Sequence, residues 1–111
     1  MQNTQSTLAV VGADSKQGID WLAERFPEVR ARARAVVLHL RTPELDAVLW
    51  AEALRLSARK AGVRLSIGLA GRTPGASLGD AAEAAGHAFQ RAFSLGGDIT
   101  VTHANLLRAA A

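Results

Sequence analysis

The sequence predicts an α+β fold: a mixed sheet of four to five strands with helices packed mainly on one face. Three observations lead there. First, Leu65-Ser66-Ile67-Gly68-Leu69-Ala70 alternates branched aliphatics with small residues, the two-residue period of a strand with one bulky and one small face. Second, this strand and a second apolar run, Val36 to Leu40, are each followed by a stretch with helical spacing. Third, Gly and Pro punctuate the chain into the order βαβαβαβ, with no repeat and no linker. Two long helices are expected to share one face of the sheet, with a shorter first helix.

Taken in order, Leu8 to Ala13 reads as the first strand and Asp14-Ser15-Lys16-Gln17-Gly18 as a polar break. Helical spacing of Ile19, Leu22, Ala23 and Phe26 follows, as far as about Val29, with Pro27 kinking or ending the helix. The run Arg30-Ala31-Arg32-Ala33-Arg34-Ala35 fits either the end of that helix or the start of a strand. Val36 to Leu40 is the second strand. Thr42 is placed to cap the next helix, with Pro43 at its first position. Leu45, Leu49, Ala53 and Leu56 then predict its core stripe, widened by Trp50 and Leu54. Arg59 and Lys60 suit the negative end of the helix dipole, and Gly62 supplies a left-handed cap. After the strand at Leu65 and a loop at Gly71–Ala76, Ser77 and Asp80 have capping-box spacing. Leu78, Ala82, Ala85, Phe89, Ala92 and Phe93 are expected to be the buried side of the last helix. Gly96-Gly97 ends it, Ile99 to Thr102 is the last strand, and Asn105 to Ala111 forms a tail.

Composition narrows the function classes. A chain of 111 residues with 49% hydrophobic content suits one domain spanning residues 1–111. It has no cysteine, hence no disulfide and no thiolate metal site. No apolar run approaches about 18 residues, so membrane insertion is not expected. The polar start, Met1 to Ser6, lacks the pattern of a secretory signal, so a cytoplasmic location is expected. Net charge is +3, a modest excess carried mostly by arginine. Only 5% of residues are aromatic and none is tyrosine, which leaves no stacking platform for nucleic acid.

The quoted segments resemble the C-terminal part of GGDEF domains, the diguanylate cyclase fold. That family carries a strand close to V-S-I-G-x-A, matched by Leu65 to Ala70. It then carries a helix and turn reading A-D-x-A-L-Y-x-A-K-x-x-G-x-N, aligned here with Ala85 to Asp98. The helix beginning Glu44-Leu45-Asp46-Ala47 completes a resemblance over roughly two-thirds of the chain. It implies a largely antiparallel sheet, a guanine nucleotide or cyclic di-GMP as ligand, and a setting in bacterial signalling.

The departures from the family pattern concern its chemistry. The signature loop belongs just before Val36, where Ala31 to Ala35 stand instead, with no acid to hold metal and no glycine to approach a nucleotide. Gly86 replaces the family aspartate and Phe93 the lysine that meets the triphosphate. The R-x-x-D inhibitory pattern is missing near Leu22 to Arg25. About sixteen residues between Asp14 and Arg30 are too few for the family's two helices. Nucleotidyl transfer depends on positioning and charge stabilisation, and one lost charge-stabilising donor costs roughly 2.7–4 kcal/mol of barrier in a hydrolase. The expectation is therefore a degenerate, shortened, non-catalytic module without cofactor or metal, not an enzyme. It would work through a protein partner or as a homodimer; the alternative is a receptor for guanine nucleotide or cyclic di-GMP.

Candidate residues follow from the same reading. Asp14 ends the first strand where the family places a metal-binding aspartate, yet a lone acid before a helix is more commonly a cap. Gly12 to Gly18 fits neither the Walker A nor the dinucleotide fingerprint. His39, His87 and His103 are not spaced as a zinc pair. Arg30, Arg32 and Arg34 are candidates for an anionic ligand, or else ion-pair partners of Glu24, Glu28 or Glu44. Val37, His39, Ser66, Gly68, Ala70, Thr100 and Thr102 are expected to share an uncharged, under-covered sheet face. Of these, His39, Ser66, Gly68, Thr100 and Thr102 are candidates for partner contact.

Overall fold

A computed structural model describes residues 6–26, 35–72 and 75–104. It contains β1 (Ser6–Ala13), α1 (Lys16–Arg25), β2 (Ala35–Leu40), α2 (Glu44–Lys60), β3 (Leu65–Arg72), α3 (Leu78–Ser94) and β4 (Ile99–Thr102). The element order matches the sequence reading. Lys16 begins α1 three residues earlier than expected, because Ser15 caps it: its Oγ accepts from the Gly18 N–H at 3.1 Å. The helix stops before Pro27, and Phe26 is already extended, as the steric demand of a following proline requires.

The strands form one four-stranded sheet in the order β2-β1-β3-β4. β1 is antiparallel to both of its neighbours, and β3 and β4 are parallel. The sheet is thus mixed and largely antiparallel. Its two inner strands are buried on both faces: all eight residues of β1 and Leu65 to Ala70 of β3 are shielded.

Two of the three helices share a face, but they are not the two long ones. α1 and α2 pack on the bulky face with Ala9, Val11, Leu65, Ile67 and Leu69. α3 lies on the opposite face, over Leu8, Val10, Ala70 and Val101. The small residues of β3 are what let it settle there. A Cβ on Gly68 would collide with the main chain of α3 at Phe89 N and Ala85 O. α3 meets this contact with Ala81, Ala85, Ala88 and Ala92. Its buried line is therefore turned from the expected one, and Leu78 and Phe93 are exposed.

α2 shows the same preference for small residues. Ala47, Ala51 and Ala58 are its fully buried positions, while the expected core residues Leu45, Leu49 and Leu56 are 75%, 66% and 49% exposed. Ala53 is exposed too. Pro43, rather than Thr42, occupies the cap position, and no side chain caps the helix. Thr42 instead accepts the Thr7 hydroxyl at its carbonyl, 2.9 Å away. Gly62 (φ 76°) ends α2 in the left-handed conformation as expected. Ser77 caps α3 by accepting from Asp80 N–H at 3.0 Å.

Candidate functional site

At the C-terminal end of β1 the chain turns at Asp14 and Ser15 into α1, and the far half of α3 passes opposite. Between them lies an open cleft of about 530 Å³, lined by Ala13, Asp14, Ser15, Lys16 and Ile19 on one side and Phe89, Gln90 and Phe93 on the other. α1 begins at this edge of the cleft and Lys16 contributes a cation, a combination suited to an anion. The wall from α3 is of another character. Phe89 and Phe93 lie with ring centroids 6.4 Å apart, and Phe93 is 53% exposed. Asp14 is solvent-exposed. Among the described residues no group of three or more histidines and carboxylates is gathered to hold a metal ion.

The expected interaction face does not survive as one surface. Strand pairing places His39 opposite Leu8 and Gly68 opposite Val10, on the α3 side. Thr100 pairs with Ile67 and Thr102 with Leu69, on the α1 and α2 side. Ser66 and Gly68 are buried beneath α3, and Thr102 is buried as well. α3 covers the face expected to be open; among the described residues its exposed part is the β2 end, where Val37 is 55% exposed and His39 is exposed. His87 is exposed on α3 and His103 follows β4, so the three histidines stand on separate elements. Arg30, Arg32 and Arg34, with Glu28, lie outside the described residues. Glu44, considered as an ion-pair partner for them, accepts from Gly71 N–H at 3.0 Å.

One charged cluster was not read from the sequence. Gly96, Gly97 and Asp98 all have positive φ, and the turn they make presents Asp98 to α2. Arg59 donates to Asp98 Oδ2 from Nη2 at 2.7 Å, and Arg55 to Oδ1 from Nη1 at 3.2 Å. Arg55 Nε also donates to Glu52 Oε2 at 2.7 Å, and Thr100 Oγ1 donates to the same oxygen at 3.1 Å. Burial pushes the Asp98 carboxyl up, but the hydrogen bonds from Arg59 and Arg55 outweigh it and hold it below the ordinary aspartate range. Glu52 is held low by the Arg55 hydrogen bond, which outweighs its burial. The cluster ties β4 and its turn to α2. It is structural, and Gly96-Gly97 ends α3 as expected, with Asp98 completing the turn.

No protein-family model and no curated protein matches the sequence. Solved structures do match the fold. The GGDEF domain of DgcB from Caulobacter crescentus, in complex with c-di-GMP, superposes with a TM-score of 0.73 at 18% identity, over 90% of this chain and 76% of that one. A microbial GGDEF domain described for a novel interaction mode with cyclic di-GMP superposes with a TM-score of 0.69 at 16% identity, over 88% of this chain and 76% of that one. At these identities the likeness is one of fold: the chain folds as GGDEF domains do. Among the described residues no helix is long and apolar enough to cross a membrane.

Proposed function

We propose that this chain is a degenerate, non-catalytic module on the GGDEF fold, acting in bacterial signalling in the cytoplasm by binding another protein or a second copy of itself. The observation that carries the reading is the aromatic wall of the cleft. Phe93 stands in the cleft lining, at the position that aligns with the family's triphosphate-binding lysine. A phenyl ring offers no charge to a triphosphate and no ligand atom to the metal that phosphoryl chemistry requires. Opposite it, Asp14 is a single carboxylate, and the stretch before Val36 carries arginine and alanine where the family carries acid and glycine.

Incubation with GTP and magnesium, followed by chromatographic detection of cyclic di-GMP, tests the reading. Product at the level of the no-protein control is expected; turnover above it overturns the non-catalytic assignment. A second reading, a receptor without cyclase activity, draws support from Lys16 at the start of α1 and from the two phenyl rings, which suit phosphate and base respectively. Both structural neighbours are described with cyclic di-GMP. Calorimetry with cyclic di-GMP and with GTP and magnesium separates the readings. Heat of binding that Arg32→Ala abolishes favours the receptor, and its absence favours the interaction module.

A further inference from the structure

α2 carries two apolar stripes. Ala47, Ala51, Leu54 and Ala58 repeat at spacings of four, three and four; Leu45, Leu49, Glu52 and Leu56 follow the same rhythm two residues earlier, so leucine holds three of the four positions. An offset of two residues is about 200° around a helix, so the stripes lie on opposite sides. The sheet takes the alanines, and the leucines face outward at 75%, 66% and 49% exposure. Three leucines in one row on the outside of a packed helix are a patch, not scattered apolar residues.

The charges around that row indicate what fits it. Glu44 and Asp46 occupy the first turn and Arg59 and Lys60 the last. Asp46 and Lys60 flank the leucines on the same side and are both exposed. If a second copy of α2 runs antiparallel with its two-fold axis between Glu52 and Ala53, Leu49 meets Leu56 of the second copy, and Asp46 lies one residue, about 1.5 Å of rise, from the level of its Lys60. The Lys60 stem then covers Leu45. Hydrophobic register and charge register agree to within one residue in this arrangement, well inside the reach of a lysine side chain; a parallel pair would set like charges together. Ala53 near the axis is small enough for close approach. Glu52, also near the axis, is already neutralised by Arg55 and turned toward Thr100.

We propose that the outer face of α2 is a self-association surface, pairing two copies of this chain through an antiparallel Leu49–Leu56 seam flanked by Asp46–Lys60 ion pairs. The proposal deepens the reading of the chain as an interaction module, names its partner, and uses none of the cleft residues. Its failure therefore differs from that of the module reading, which turns on nucleotide turnover.

Sedimentation equilibrium of the full chain, from about 10 μM to 1 mM, tests it. A monomer–dimer equilibrium is expected. Leu49→Glu should raise the dissociation constant at least about tenfold, with the melting temperature of the monomer unchanged because the side chain is exposed. Asp46→Lys and Lys60→Asp should each weaken the dimer, and the two together should restore it. Ala53→Cys, in a chain with no other cysteine, should give a disulfide-linked dimer under mild oxidation. A monomer throughout the range overturns the proposal, as does a dimer indifferent to Leu49→Glu or a charge swap without restoration.

Discussion

The contact between β3 and α3 makes Gly68→Ala the sharpest probe of the fold. The added Cβ would meet Phe89 N, Ala85 O and, at 2.7 Å, Phe89 Cα. All three are main-chain atoms of a regular helix, so no rotamer change relieves the clash. α3 would have to lift from the sheet and loosen the packing of Ala81 and Ala85 on Leu8, Val10 and Ala70. Overpacking typically costs about 1–3 kcal/mol, and the unyielding wall places this case at about 3 kcal/mol or above. Against a total domain stability of about 5–15 kcal/mol, that lowers the melting temperature by roughly 12 °C. Urea and thermal unfolding followed by circular dichroism read the effect directly. Gly86→Ala is the control: it lies in the same helix, nothing stands within 4 Å of its added Cβ, and it should stabilise by about 0.5–1 kcal/mol. Comparable melting temperatures for the parent and Gly68→Ala would refute the close approach of α3.

Asp98 and Glu52 both have folded pKa values below their unfolded ones, so their contribution is present above the ordinary carboxylate range and lost as pH falls through the folded values. Urea midpoints should therefore drop between pH 7 and about pH 3, with a shallower drop in Asp98→Asn, a residue that still tolerates the positive φ there. Ser77→Ala removes the cap of α3 and should cost about 1 kcal/mol in urea unfolding. On α2, Leu49→Ala should change unfolding free energy by under about 0.5 kcal/mol when measured on the monomer. Ala51→Leu, at a fully buried position, should cost about 1–3 kcal/mol; the reverse ranking would return the leucines to the core.

Strand positions were legible because alternation and glycine or proline breaks are local signals, and element order follows from them. Which helix covers which face was not legible. The small face of β3 reads as an open surface when only side-chain size is considered; in the fold Ser66, Gly68 and Ala70 are small because a helix backbone lies on them. On α2 the two stripes have one period, so periodicity cannot choose between them, and greater hydrophobicity favours the wrong one. The Asp98 cluster joins residues about forty positions apart, beyond any local pattern. At the cleft, Asp14 at the strand end and Phe93 in place of lysine were visible. That Phe93 lines a cavity and stands exposed, while Phe89 still packs against the core, depends on the turn of α3 about its axis, which the sequence expectation placed differently.

The position of β1 bears on how the chain is made. It is made before the other three strands of the sheet, yet it lies in the interior, bonded to β2 on one edge and β3 on the other. β2 emerges soon after it, but Leu65 must be synthesised before Ala13 gains its partner on the second edge. At a synthesis rate of about 5–20 residues per second, the nascent Leu-Ala-Val-Val segment waits on the order of several seconds with one edge unpaired. During that interval it is a sticky apolar template for other unfinished chains, so the yield of soluble protein should depend on chaperone supply and expression rate more than on the stability of the finished fold.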